Sequence, residues 1–250
     1  MGVPHDYGFP GLNKEKNGLV SIPVEERHGL IWAILSPGRE INVKAHLGEI
    51  DQEIGEFDFK NHFSFKPATI HKKYNWKFTA DIFLEAYHVY TAHAKTIKAI
   101  FLDNVGLYDS FFPHQRNLFA KRSLLTLKDE DRANWNLRQH NNILYVIFPN
   151  TMLLIEPDHA NVVTAFPRGT DETIMYAMNL VNSDPENDYN KLYWSKNTDI
   201  LYNAIEEDFD MAESMQSGVK TGVNKVMHFG RFENSLNTFH SNIEKFLSKK

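Results

Sequence analysis

The sequence contains no cysteine. That absence excludes disulfides, thiolate zinc sites, cysteine nucleophiles and any iron–sulfur cluster ligated within these 250 residues. There is also no long apolar run. The longest, Ile143 to Ile155, is interrupted by Pro149-Asn150. A bilayer-spanning helix needs about 20 apolar residues, so none is expected. The opening MGVPHDYGFPG has neither an apolar core nor a small-residue cleavage site, so it does not read as a signal peptide, and a cytoplasmic location is expected. Basic charge is scarce as well: 27 Lys and Arg against 32 Asp and Glu give a net charge of -5, which argues against nucleic-acid binding. What remains is an ordinary globular composition, 42% hydrophobic and 24% charged, with 12 histidines. Any metal site must then be built from nitrogen and oxygen ligands.

No repeat or low-complexity tract is visible. The first 17 residues read as loop. Two short apolar runs follow, Leu19 to Val24 and Leu30 to Leu35, with Glu-Glu-Arg-His-Gly between them, and predict two strands joined by a turn. Ser36-Pro37-Gly38 marks a boundary between residues 1–36 and 37–250. Phe57, Phe59, Phe63 and Phe65 share one parity and predict a strand buried on one face. Asn75 to Thr79 reads as extended, and Asp81 to about Tyr90 as a helix with Asp81 at its cap or first turn. Further strands are expected at Tyr108–Phe112, Ile143–Phe148, Met152–Ile155, Asn161–Pro167 and Thr173–Leu180. A long helix is expected from Asp184-Pro185 to Ser217, before Gly218, and a last one from Glu233 to Leu247. The fold class is α+β with an antiparallel sheet.

Two polar residues occupy apolar slots. Leu201, Ala204, Ile205, Ala212 and Met215 form a helical stripe, and Asp208 sits in its middle. A carboxylate facing a core must be paired, hydrogen-bonded or metal-bound, whereas Glu206 and Glu207 can face solvent. His88, four after Leu84, also lies near an apolar face, with Glu85 near the same side. His93 follows five residues later, about 140° away on an ideal helix. The two rings converge only if the helix ends or bulges between them; otherwise they are a core and a surface histidine. Two histidines and a carboxylate suit a facial triad that leaves open positions on Fe(II), and they also suit zinc.

Asn75-Trp76-Lys77, followed by D-I-F-L-E-A-Y-H-V-Y-T-A-H at 81–93, resembles the iron-binding segment of the Rieske non-heme iron oxygenases, the large subunits of ring-hydroxylating dioxygenases. E-E-D-F-D-M-A-E-S-M-Q at 206–216 resembles the family's carboxylate motif, in which the ligand stands eight residues before a Gln: Asp208 before Gln216, in preference to Asp210. G-L-V-S-I-P-V-E-E-R-H-G-L-I-W at 18–32 resembles the end of the family's Rieske domain; F-G-R-F-E at 229–233 and Phe239-His240 resemble its C-terminal helix region. The sequence departs from the family in two respects. The Cys-x-His and Cys-x-x-His cluster ligands are absent and would precede residue 1, and His5 and His28 cannot replace them without thiolates. Asp81 stands where the family often has Asn.

The resemblance implies a helix-grip fold, an antiparallel sheet around a long C-terminal helix, preceded by a remnant of a Rieske β domain. It implies Fe(II) held by His88, His93 and Asp208, with Glu85 as the acid linking the iron ligands to the Rieske histidine of a neighbouring subunit in a homotrimer. Tyr87 and Tyr90 would be packing residues or donors near the iron, and Phe101 to Phe112 would line the substrate cavity. The activity implied is insertion of oxygen from O2 into an aromatic or other apolar substrate. Electrons would come from NAD(P)H through a reductase, sometimes a ferredoxin, and a [2Fe–2S] cluster that this chain does not ligate. A metal-free helix-grip ligand-binding or regulatory module, an inactive truncated remnant and a zinc-dependent hydrolase are the alternatives.

Overall fold

A computed structural model describes residues 2–129 and 131–248. The chain divides into two compact units, one ending at Lys60 and the other starting at Asn61. The expected boundary at Ser36-Pro37-Gly38 falls inside the first unit.

In the first unit, β1 (Val24–Arg27) and β2 (Leu30–Ala33) form an antiparallel hairpin. Its loop is the two residues His28 and Gly29, both at positive φ, which is the backbone that follows the strand twist. A Cβ on Gly29 would lie 2.3 Å from the backbone nitrogen of Lys60, so this position demands glycine. Glu25, Glu26 and Arg27 are therefore strand residues, not part of the turn, while Leu19 and Val20 are exposed. Two short helices follow, α1 (Val43–Leu47) and α2 (Asp51–Glu56). Asp51 accepts both prongs of the Arg27 guanidinium and a 2.8 Å contact from His28. Arg27, against burial and with help from His28, holds the Asp51 carboxyl down at about 2.

Among the described residues, the second unit is a seven-stranded antiparallel sheet in the order β3-β9-β8-β7-β6-β5-β4, with four α-helices. Its strands are β3 (Phe63–Lys72), β4 (Phe101–Phe111), β5 (His114–Lys121), β6 (Asn141–Ile147), β7 (Thr151–Ile155), β8 (His159–Pro167) and β9 (Thr173–Val181). The alternating phenylalanines do not form one strand. Phe57 closes α2, Phe59 opens a 3-10 turn after Asp58 at positive φ, and only Phe63 and Phe65 enter β3. β3 continues to Lys72 through a bulge at Lys66-Pro67, tolerated because β3 is an edge strand and proline has no N–H to donate. β5 lies between β4 and β6. Its first residues, His-Gln-Arg-Asn, show no apolar alternation, yet His114, Gln115 and Asn117 are buried.

The helices are α3 (Lys77–Leu84), α4 (His88–Thr91), α5 (Asp188–Lys220) and α6 (Asn234–Leu247). α3 begins four residues before the expected helix. Just before it, the Asn75 side chain accepts from Lys77 N–H at 3.2 Å, and Asp81 lies in its last turns, paired with His240 of α6 at 2.7 Å. α5 is capped by Asn187, which accepts from the N–H groups of Tyr189 and Asn190, so Asp184 is not its N-cap. α5 runs past Gly218. Its buried stripe holds Ala204, Ile205, Asp208, Phe209, Ala212 and Gln216, whereas Met215 is half exposed. Ile205, Phe209 and Ala212 pack with Leu144, Met152, Val163 and Met175 of the sheet and with Phe78 and Phe239 of α3 and α6. Each such large side chain contributes about 1.5–3 kcal/mol by burial.

Candidate metal centre

The histidine segment is not one helix. α3 stops at Leu84, because Glu85 takes an extended backbone. The Glu85 carboxylate then accepts from the backbone N–H groups of Tyr87 and His88 and so caps the one-turn α4. After Thr91 the chain passes into turns, and His93 lies beyond the helix. The regular 140° separation is thus broken, and the two imidazoles meet with ring centres 4.9 Å apart. α5 brings Asp208 to the same point across the core.

Three ligand atoms converge. His88 Nε2 and His93 Nε2 are 3.1 Å apart, and Asp208 Oδ1 lies 3.1 Å and 3.0 Å from them. His93 and Asp208 are buried, at 1% and 8% exposure. Asp208 Oδ1 is in ion-pair range of both rings but is aligned for a hydrogen bond with neither. Each imidazole has a carboxylate at its other nitrogen: Glu85 is 2.6 Å from His88 Nδ1, and Glu207 is 2.9 Å from His93 Nδ1. Thr96 also donates to Glu207, at 2.7 Å. With the Nδ1 hydrogens given to carboxylates, both Nε2 lone pairs face Asp208 Oδ1. Three lone pairs at 3 Å repel one another unless a proton or a metal ion sits among them. This carboxylate–histidine arrangement is how proteins orient metal-bound imidazoles.

Separations of 3.0–3.1 Å let the three atoms share one cation. The electrostatics agree. Burial lowers the His88 imidazole, but Asp208 and Glu85 outweigh it and raise it to about 9. His93 is raised too: burial and the charge of His88 oppose the shift, and Asp208 and Glu207 drive it. Burial pushes Glu85 and Glu207 up, yet the histidine contacts leave both below the usual carboxylate range. The site is built for positive charge.

The strands and α5 leave a cavity of about 250 Å³ beside these residues. Phe83, Val89, Ile97, Phe101, Leu102 and Leu201 form its apolar wall, and Asn142, Asn161, Glu156 and Lys121 line it as well. The lining thus includes the start of the expected Phe101–Phe112 segment and also runs through β5, β6, β7 and α5. Tyr87 packs by Phe232, and Tyr90 lies under Lys98. Asp210 is exposed. Asn75 N–H donates to Gln216 Oε1 at 2.8 Å and ties the start of α3 to the Asp208 helix. Glu207, which the stripe leaves free to face solvent, pairs with His93 instead. It lies one residue from Asp208, at the edge of the apolar stripe, and periodicity gives no sign of its histidine partner.

Comparison with known proteins gives a consistent result. Residues 59–249 match the family described as ring hydroxylating alpha subunit, catalytic domain. The fold is similar to that of the quaternary ammonium Rieske monooxygenase CntA in complex with its substrate L-carnitine, with TM-score 0.76 and 16% identity over 98% of this chain and 66% of that one. Naphthalene 1,2-dioxygenase with indole bound in its active site gives TM-score 0.71 and 16% identity over 98% and 69%. Dicamba monooxygenase bound to 3,6-dichlorosalicylic acid gives 0.56 and 16% over 90% and 69%. The chain spans about two thirds of the length of these proteins. No curated protein matches the sequence.

Proposed function

We propose, from the premise that this chain belongs to the ring hydroxylating alpha subunit family, that it is the catalytic portion of a Rieske-type oxygenase acting on an aromatic or other apolar small molecule. His88, His93 and Asp208 would hold a mononuclear Fe(II). The observation that carries this is the buried, unaligned Asp208 oxygen facing two imidazole nitrogens at 3.0–3.1 Å, beside a largely apolar cavity. When bound, the metal supplies oxygen activation at the positions the three side chains leave open. Glu85 and Glu207 hold the imidazoles in the tautomer that presents Nε2. The apolar wall excludes water and holds substrate beside the metal.

The finer assignments are part of the same proposal. The second unit is a helix-grip domain, with α5 packed on the sheet. Residues 1–36 are the tail of a Rieske β domain and 37–250 the iron domain. Lacking cysteine, the chain supplies no cluster ligation, so electrons derived from NAD(P)H through a reductase or ferredoxin reach it from a [2Fe–2S] cluster held elsewhere. Glu85 is the bridging acid toward that cluster in a homotrimer; its carboxylate contacts a candidate iron ligand and is still partly exposed. Among the described residues no helix is long and apolar enough to cross a membrane. The proposed setting is the cytoplasm.

The test is metal content after anaerobic reconstitution with Fe(II). About one iron per chain in the parent, lost in Asp208→Ala and His93→Ala, supports the proposal. Metal retained in both variants overturns it. Stoichiometric zinc with oxygen-independent hydrolysis favours the hydrolase. Apolar ligand binding without metal, unchanged in His88→Ala, favours the binding module.

A further inference from the structure

The cavity has a direction. Along α5 its wall is one helical stripe: Asn197, Ile200, Leu201, Ala204, Ile205 and Asp208. Eleven residues separate the first from the last, about 16 Å at the rise of an α-helix. Asp208 marks the metal end, with His88, His93 and Glu85. The other end is the rim of the sheet. Lys121 closes β5, Asn142 stands second in β6, Glu156 follows β7 and His159 opens β8. Glu156 joins them: it accepts from Lys121 Nζ at 3.0 Å and from Asn142 Nδ2, and its N–H donates to the His159 carbonyl at 2.9 Å. His159 packs against Trp194, near the start of α5, with ring centres 5.5 Å apart. Between the two ends the wall is apolar. Two residues inward from Asn142 and Glu156, on the same face of the sheet, Leu144 and Leu154 pair across β6 and β7. The next row, Val146, Met152 and Val163, belongs to the core with Phe209 and closes the cavity. Every titratable side chain of the lining thus falls at one end or the other. The side-chain oxygens of Asn104, Asn142 and Asn161 have almost no accessible surface and offer a ligand nothing.

One rim atom is open. His159 Nδ1 is 2.8 Å from the Asp158 carboxylate, which also accepts from Tyr193 at 2.6 Å. A carboxylate only accepts, so the ring hydrogen lies on Nδ1 and Nε2 is an acceptor. Asp158, Tyr193 and Trp194 lie outside the cavity lining and His159 within it, so the Nε2 edge is the one that faces the cavity. Nε2 has no partner among the described residues and is not an enclosed atom. We infer that the substrate is an elongated molecule, an aliphatic chain or linear fused rings, lying along α5 with one polar end at His159 and its apolar end toward the metal ligands; the inference rests on the reading of this cavity as the substrate site. Contact along the stripe sets the length, and the rim sets the direction. A compact molecule would leave part of the apolar wall without partner atoms.

The test uses a homologous series: 1-hexanol, 1-octanol, 1-decanol, 1-dodecanol and 1-tetradecanol. Equilibrium dialysis against the full chain reads affinity, with and without anaerobic reconstitution with Fe(II), and iron per chain is measured on the same samples. Carbon–carbon bonds of about 1.52 Å advance an extended chain by about 1.25 Å per carbon, so about twelve carbons span the cavity. Affinity is expected to rise up to about 4-fold per methylene as far as 1-dodecanol, and to change by less than about 2-fold from there to 1-tetradecanol. Ala204 stands one turn before Asp208, so Ala204→Phe shortens the cavity by about 6 Å and moves the plateau to 1-octanol. Ala204→Leu moves it the same way and keeps the test intact if the Phe variant does not fold. His159→Leu is expected to weaken every alcohol by a common factor of about 5- to 10-fold and to leave the plateau in place. Affinity that keeps climbing to 1-tetradecanol, or that levels off before 1-decanol, overturns the inference. So does a plateau that neither Ala204 variant moves, or binding that His159→Leu leaves unchanged. Iron binding without a plateau removes this inference alone. A plateau without iron removes the oxygenase reading alone.

Discussion

Glu207 is the residue whose replacement most sharply tests how the site works. It lies one position from Asp208, yet it is expected to act through His93, not as a ligand. Its carboxylate accepts from His93 Nδ1 at 2.9 Å and from Thr96 at 2.7 Å. In Glu207→Ala the N–H of an imidazole that is 1% exposed loses its partner. Loss of such an outer carboxylate weakens metal binding about 10- to 100-fold, or about 1.4–2.7 kcal/mol. The Glu207 side chain is 29% exposed, so water replaces part of what is lost, and the lower half of that range, about 10- to 30-fold, is expected. Glu207→Gln keeps an acceptor but loses the charge, and less than about 10-fold is expected. Glu206 pairs with Lys72 at the surface, and Glu206→Ala should stay within about 2-fold of the parent. The assay is an anaerobic competition titration of Fe(II) against a colorimetric chelator, with circular dichroism as the check on folding. If Glu207→Ala binds iron as tightly as Glu206→Ala does, the second carboxylate does not orient His93 and the reasoning fails.

Three further outcomes follow from the same structure. Gln216→Ala orphans the Asn75 N–H and is expected to cost about 1–3 kcal/mol in urea unfolding; an unchanged midpoint would mean that the α3–α5 tie contributes nothing. Asn187→Ala should destabilise by about 1 kcal/mol and Asp184→Ala by clearly less, because Asn187 caps α5; thermal melts that reverse this order refute the assignment. Asp51 sits at about 2, below the usual 3.8, so its contribution is present above pH 3.8 and lost as pH falls through about 2. Arg27→Leu, which removes the main cause, should move the Asp51 carboxyl up toward 3.8, as read by side-chain NMR titration, and an unmoved midpoint would show that the guanidinium is not responsible.

The elements that could be read from sequence were those whose own composition carries the period. β6 to β9 each contain an apolar run at strand length, and α6 has a clean helical stripe, so their extents agree with expectation to within two residues. β5 was invisible, because its polar first half is buried by neighbours on both sides and not by its own hydrophobicity. The Phe57–Phe65 alternation misled for the opposite reason: a positive-φ Asp58 and a 3-10 turn split a period-2 pattern between different elements. The Asn75–Thr79 stretch, expected to be extended, instead leads into α3 at Lys77, with the Asn75 side chain accepting from the Lys77 N–H.

The candidate site divides along the same line. Sequence by itself determined the ligand types, because a cysteine-free chain can offer a metal only nitrogen and oxygen. It also singled out Asp208, because a carboxylate in an apolar stripe is costly enough to need a reason. It could not decide whether His88 and His93 meet, since that depends on a helix break set by the Glu85 backbone and its cap on α4. Nor could it find Glu207, whose histidine partner lies on another segment of the chain. Periodicity records which face a residue turns to, whereas chemistry depends on what stands opposite, and only the packing of α5 against the sheet and the histidine segment supplies that.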